Sequence, residues 1–252
     1  FILIGISCSA ELKAQKNGTV YKGNDPAVRY TGRTLVSPDG SVAFDWVGTY
    51  LETRFTGGKL SVKVSETGTS YYNVFVDGKL HKVVKVCGTD TLIHLVSGID
   101  RRIHSLKIQK RSEGEFGKTT VHQFVLSGSG RLAEEPAVRT RHIEFIGNSL
   151  TCGYGTDGKH RDEPFLVETE NCNLTFASMV ARYYDADYTL IAHSGRGAAR
   201  NYGDSVRVSK VTMKDRMLNT FDEDLTHKWN FKEYRPDLVV INLGSNDFST
   251  EP

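Results

Sequence analysis

The hydrophobic period of this chain changes once, near residue 128, and that change restricts the fold more than any other feature. From Thr34 to Ser127 apolar and polar residues alternate in short runs broken by Gly, Asp and Thr, as in KLSVKVSE (59–66), YYNVFVDGKL (71–80) and TTVHQFVLSG (119–128). In the first run Leu60, Val62 and Val64 face one way and Ser61, Lys63 and Ser65 the other, the period of a half-buried antiparallel strand. Asp77-Gly78 within VDGK marks a tight hairpin, because both residues tolerate the positive φ such turns need. No helical stripe occurs in this half. Many short strands at regular spacing specify a β-sandwich of the jelly-roll kind in preference to a barrel.

Beyond a polar stretch containing Gly and Pro, the pattern becomes nearly continuous apolar runs: HIEFIG (142–147), DYTLIAHSG (187–195) and PDLVVINLG (236–244). Such runs suit strands covered on both faces. Between them NLTFASMVARYYDA (173–186) places Leu174, Phe176, Ala177, Val180, Ala181 and Tyr184 on one helical face, and VTMKDRMLNTF (211–221) predicts a second helix. A βαβαβ series makes a parallel sheet with right-handed crossovers and a site at the carboxyl ends of its strands. The division expected is therefore a leader over 1–19, a sandwich over 20–128, a linker over 129–141 and an α/β domain over 142–252. FILIGISCSA at the start reads as the end of an apolar targeting segment, which implies export and makes Cys8 a candidate lipid-attachment site.

Composition excludes several classes of partner. With 32 basic and 30 acidic residues and a net charge of +2, the chain lacks the concentrated field that nucleic acid binding needs. Apart from the apolar start, no segment is apolar enough to span a bilayer. Cys87, Cys152 and Cys172 are too few for a disulfide framework and lack the paired spacing of a zinc site; Cys152 and Cys172 are open to either a bridge or two buried thiols. No metal ligand set is apparent. No nucleotide cofactor is implied either, since GRGAARNYG lacks the strand, Gly-x-Gly-x-x-Gly and helix arrangement.

All three apolar runs end in polar or glycine residues: Gly147-Asn148-Ser149, Ser194-Gly195-Arg196-Gly197 and Gly244-Ser245-Asn246-Asp247. Ester cleavage needs a nucleophile, a base, and donors aimed at the developing oxyanion. Ser149 at the first turn supplies the nucleophile, while its own N–H, the N–H of Gly195 and the amide of Asn246 supply the donors. Taken singly, Ser149 reads better as a helix cap, Gly195 as a turn residue and Asn246 as an Asx-turn former. Their convergence on one sheet edge decides for catalysis. Arg196, Arg200 and Tyr202 are candidates to line a substrate groove. Trp46, Tyr50, Tyr71 and Tyr72 are open to two readings, sugar-stacking platforms or core, and aromatics in strands are more often core.

FIGNSLTCGYG (145–155), HSGRGAARNYG (193–203) and INLGSNDFS (241–249) resemble the first, second and third conserved blocks of the SGNH hydrolases. More closely the chain resembles carbohydrate esterase family 2, whose members carry a jelly-roll domain ahead of a three-layer α/β hydrolase domain; the likeness runs from about Val28 to the last residue. It implies removal of acetyl groups from plant cell-wall polysaccharides such as xylan and glucomannan, with Ser149 as nucleophile, Gly195 and Asn246 as oxyanion donors, and Asp247 in a structural role. Two departures stand out. Asn148 replaces the family's Asp before the nucleophile, keeping a short side chain able to hydrogen-bond the turn. The family's catalytic His lies in a later block, so the expectation is a C-terminally truncated hydrolase domain that cleaves esters weakly or not at all.

No histidine present is an evident substitute. His193 stands nearest, but strand alternation turns it into the sheet packing; His142, His160 and His227 lack a justified role, and His81, His94, His104 and His122 belong to the β-half. Two alternatives remain, a non-catalytic carbohydrate-binding protein and an esterase acting on another acyl ester. The polar loop GTDGKHRDEP (155–164) favours sugar over lipid.

Overall fold

A computed structural model describes residues 18–134 and 136–249. The apolar start with Cys8 lies outside the described residues. The first half is an antiparallel sheet of eight strands, β1 (Gly18–Lys22), β2 (Val28–Thr31), β3 (Leu35–Val36), β4 (Val42–Phe44), β5 (Tyr50–Val76), β6 (Lys79–Lys110), β7 (Thr119–Ser127) and β8 (Arg131–Leu132). Its main path runs β2-β5-β7-β4-β3, with β1 on β7 and both β6 and β8 on β5. Asp77 and Gly78, at φ 49° and 75°, form the hairpin between β5 and β6. These two long strands bend, with register shifts about Gly58. Leu106–Gln109 of β6 thereby pairs with Tyr50–Thr53 on one side and Asn73–Val76 on the other. The sheet folds over a core containing Phe44, Leu51, Leu60, Val62, Val64 and Phe124.

Alternation holds at Lys63 and Ser65, which are half-buried, but not at Ser61. That hydroxyl is buried and bonds His94 Nδ1 at 2.9 Å, so its polarity is met inside. Arg131 and Leu132, within the stretch read as linker, continue the sheet by pairing with Thr56 and Phe55.

The second half has three parallel strands, β9 (His142–Gly147), β10 (Asp187–Ala192) and β11 (Leu238–Ile241), in the order β10-β9-β11. β9 and β10 are buried almost throughout. β11 departs from the expected coverage: Leu238, Val239 and Ile241 are exposed, because among the described residues it pairs with β9 alone. Helix α1 (Ser149–Cys152) follows β9, α2 (Phe176–Tyr183) precedes β10, and α3 (Met213–Arg216) lies between β10 and β11.

The predicted face of α2 is borne out in part. Ala177 and Ala181 are buried as expected, with Ser178 beside them, whereas Leu174, Phe176, Val180 and Tyr184 are exposed. Small side chains let the helix sit close to the sheet, which leaves the larger ones at its margins. The second predicted helix shortens to the single turn α3, closed by a capping box between Thr212 and Asp215. Past it, the Asp222 N–H donates to Asp45 Oδ1 at 2.8 Å and draws the chain towards the first half.

The two halves share their interior. Trp46 is fully buried with Ile146, Ile191 and Met213, and Val47 and Tyr50 join Ile143, Phe145 and Leu190. Tyr72 is buried in the core of the first sheet. Trp46, Tyr50 and Tyr72 are therefore core residues, which removes them as sugar platforms; Tyr71 is half-buried and donates to Glu168 Oε2 at 3.2 Å.

One ion cluster joins the halves. Asp187 Oδ2 accepts from Arg29 Nη1 at 2.7 Å, and Oδ1 accepts from Tyr50 Oη at 2.7 Å and Arg139 Nη1 at 2.8 Å. Burial pushes the Asp187 carboxyl up, but Arg29, Tyr50 and Arg139 together bring it down to about 2, from an ordinary 3.8. A lowered carboxyl stabilises the fold above its unfolded value, and that contribution disappears as pH falls from about 4 towards 2. Denaturation curves at pH 6 and pH 2.5 are expected to show Asp187→Asn losing about 2 kcal/mol less than wild type over that interval. Equal losses in the two proteins would remove Asp187 as an acid-sensitive tie.

Candidate active site

β9 is the middle strand of the parallel sheet, and the chain passes first to β10 on one side and then to β11 on the other. Such a switch point opens a crevice at the carboxyl ends of the strands. Ala192 pairs with Gly147 and Ile241 with Ile146, so the three ends stand side by side. A cavity of about 430 Å³ lies there, lined by Glu115, Ser149, Tyr154, Ser194, Gly195, Tyr202 and Asn246. Ser149, Gly195 and Asn246 are thus brought together. Of Arg196, Arg200 and Tyr202, only Tyr202 lines the cavity.

The apolar run of β9 stops at Gly147 for a steric reason. A Cβ there would stand 2.0 Å from Thr151 Oγ1, so glycine lets α1 fold directly back on the strand. Asn148 is the N-cap, with its Oδ1 accepting from the Leu150 N–H at 3.3 Å, which leaves Ser149 as the first helical residue rather than the cap. Asn148 Nδ2 donates to Ser245 Oγ at 2.8 Å and ties the first strand end to the third. The carboxamide therefore satisfies both the turn and its neighbour. Neither the Ser149 hydroxyl nor its N–H has a hydrogen-bond partner among the described residues. An unpaired N–H at a first turn is available to a ligand.

Gly195 sits at φ 73°, where a Cβ would meet no atom within 4 Å; backbone conformation, not space, calls for glycine. Its carbonyl accepts from the Tyr202 N–H at 2.8 Å, holding the loop closed. Asn246 is buried and donates one Nδ2 proton to Arg196 O at 2.8 Å, which orients the amide and leaves the other proton free. Asp247 works behind it. Its carboxylate accepts from the backbone N–H groups of Ala198, Ala199 and Arg200 at 3.0, 2.7 and 3.0 Å. Burial pushes the Asp247 carboxyl up, and those three donors outweigh it and hold it below the usual range. Arg200 is itself buried, with Nε donating to Asp247 O at 3.1 Å, and so braces the same loop.

Cavity residues to which the sequence alone assigned no role are Glu115, Tyr154 and Ser194. Tyr154 and Ser194 lie inside the first and second motifs. Glu115 comes from the first half, and nothing in its local sequence signals the contact. Tyr154 stacks on Phe165 at 3.6 Å, and Phe165 on Phe116 at 5.7 Å, building one aromatic wall from both halves.

His193 is buried, as strand alternation implies, but it has acidic partners that alternation could not reveal. Nδ1 lies 2.8 Å from Asp222 Oδ2, and Nε2 lies 3.6 Å from Glu115 Oε2. Burial lowers its pKa, and Asp222 outweighs that, so the ring holds its proton above the ordinary His value. His193 does not line the cavity, and no other described histidine does.

Cys152 and Cys172 are free buried thiols, which settles the choice between bridge and thiols. Cys152 Sγ donates to Glu113 Oε2 at 3.5 Å and Cys172 Sγ to Lys110 O at 3.4 Å. Burial pushes Cys152 well up and Cys172 up to about 12, so neither is a nucleophile near neutral pH. Folding also gathers two sets of potential ligands that spacing along the chain could not show, Glu113-Cys152-Glu170 and His193-Asp222-Glu223. Both are bound into hydrogen bonds or ion pairs of the protein itself.

Residues 30–136 match the family described as carbohydrate esterase 2 N-terminal, and residues 143–251 that described as GDSL-like lipase/acylhydrolase. The chain is 35% identical over 227 residues to the cellulase/esterase CelE of Acetivibrio thermocellus, aligning 90% of this chain with 27% of that protein. It is 33% identical over 226 residues to an acetylxylan esterase/glucomannan deacetylase of Cellvibrio japonicus, with 87% of this chain and 61% of that protein covered. The chain spans less than two thirds of the length of either relative. Among solved structures, a family two carbohydrate esterase from Clostridium thermocellum in complex with cellohexaose superposes with a TM-score of 0.84 at 35% identity, covering 89% of this chain and 67% of that one. A family two carbohydrate esterase from Cellvibrio japonicus does so with a TM-score of 0.81 at 26% identity, covering 93% and 70%.

Proposed function

The chain belongs to carbohydrate esterase family 2, and from that premise we propose that it is a serine esterase removing O-acetyl groups from plant cell-wall polysaccharides, xylan and glucomannan among them. The observation carrying this reading is that Ser149, Gly195 and Asn246, each from a different strand end, line one cavity. We read the antiparallel half as a jelly roll and the parallel strands as belonging to a three-layer SGNH hydrolase sheet. Ser149 Oγ attacks the acetyl carbonyl carbon and its proton passes to a base. The carbonyl oxygen takes the negative charge, stabilised by the Ser149 and Gly195 N–H groups and the free Asn246 amide proton. Collapse releases the sugar hydroxyl with a proton and leaves acetyl-serine, which water hydrolyses.

Sugar is the substrate class that suits this cavity. Tyr154 and Tyr202 offer aromatic faces, Glu115 accepts hydrogen bonds from hydroxyls, and a structural neighbour is in complex with cellohexaose. Acetylated wall polysaccharide lies outside the cell, so we place the protein there. No described histidine lines the cavity, so the base that takes the Ser149 proton is not among its described lining residues.

The test is acetate release from acetylated xylan and acetylated glucomannan by the protein, beside its Ser149→Ala variant. Release that the variant loses is the expected result. Binding of either glycan without acetate release from any acetyl ester would favour a non-catalytic carbohydrate-binding protein.

A further inference from the structure

We propose that Glu113, carried by the antiparallel half, is a positioning residue for ester cleavage, its carboxylate tying the Gly195 loop to the helical turn that begins at Ser149. This inference rests on the esterase reading. Glu113 Oε2 accepts from the Ser194 N–H at 2.6 Å and from Cys152 Sγ at 3.5 Å. Ser194 directly precedes Gly195, and Cys152 ends the turn whose first residue is Ser149. A single oxygen therefore holds both parts of the site. Glu113 stands just beyond the end of β6, and its own N–H donates to Glu170 Oε2 at 3.0 Å, which anchors it to the segment leading into α2.

The local chemistry indicates why an acid occupies this place. The Glu113 side chain is fully buried, and among the described residues no Lys or Arg pairs with it. Its neighbour is a second buried acid, Glu170, and Oε1 of each has no hydrogen-bond donor. Acidic or thiol atoms of Glu113, Glu170 and Cys152 lie within 4.8 Å of one another. Burial and then Glu113 push the Glu170 carboxyl well above the ordinary range, so Glu170 is the group suited to hold a proton. Glu113 remains the acceptor for Ser194. A hydrocarbon would fill the space at lower desolvation cost. What it would not supply is an acceptor aimed at the Ser194 N–H, and hence a fixed direction for the loop carrying the Gly195 N–H.

The test uses the full-length protein with an aryl acetate, and rates are taken per active site titrated with a fluorophosphonate. Glu113→Ala is expected to lower kcat about 10- to 100-fold with KM changed by less than about 3-fold, since a displaced donor weakens the transition state and not the substrate. Backbone amide exchange at Ser194 should accelerate in the same variant. Glu113→Gln is the conservative rescue, because its amide oxygen can accept from Ser194 while its N–H donates to Glu170; kcat should stay within about 5-fold of wild type. A Glu113→Ala protein with wild-type kcat and unchanged Ser194 exchange overturns the inference, as does a Gln variant as impaired as the Ala variant. Failure of the esterase reading looks different: wild type would be no faster than Ser149→Ala, and both readings would fall.

Discussion

Ser149→Ala in the full-length protein lowers aryl acetate hydrolysis on the order of 10⁴-fold or more, leaving only a small residual rate above buffer. Its size follows from the route, for without the hydroxyl no acetyl-enzyme forms and only the oxyanion donors and substrate binding remain. Stability should scarcely move. The hydroxyl has no protein partner among the described residues, Asn148 is the helix cap, and Ser149 is only half-buried, so the substitution should cost less than about 0.5 kcal/mol. Activity lost with an unchanged melting curve is the signature of a group that acts on substrate. A variant keeping a tenth or more of wild-type turnover would displace Ser149 from the nucleophile's place. The thiol three residues on offers no bypass, since Cys152 is fully buried and held protonated.

The site was legible in the sequence where chemistry and strand topology coincide within one local block. Gly147-Asn148-Ser149, Ser194-Gly195 and Ser245-Asn246 each follow an apolar run, and parallel pairing alone is enough to bring such ends together. Glu113 and Glu115 were not legible. They contact the site only because residues just past β6 pack against α1 and the loop after β10, and no periodicity encodes an encounter between segments so far apart in the chain. Arg200 failed for a related reason: its charge suggests a surface position, while its burial beside Asp247 depends on the third strand end. In the fold, Trp46 and Tyr50 alternate like sandwich residues yet fill the core of the parallel half. Pattern specifies that a side chain is buried, not against which partner. The face of α2 shows the same limit, because Ala177 and Ala181 are buried on the expected side while the larger Phe176 and Val180 stay exposed.

Asn246→Ala is expected to reduce kcat about 10²- to 10³-fold while KM stays nearly constant, the usual consequence of removing one oxyanion donor. Its amide already donates to Arg196 O at 2.8 Å, so the variant also loses a hydrogen bond within the loop, and stability should fall by about 1 kcal/mol. The two losses are separable. An acetyl-ester boronic acid analogue that turns tetrahedral at Ser149 needs the free amide proton, so its affinity should weaken by the same factor as kcat. The Arg196 contact alone would lower stability without that match. Asp247→Ala supplies the contrast: three backbone N–H groups of residues 198–200 lose their acceptor, and loop order, stability and KM should all change together. If Asn246→Ala instead raised KM and left kcat and boronate affinity intact, Asn246 would be a wall of the sugar site, and the oxyanion would rest on the Ser149 and Gly195 N–H groups alone.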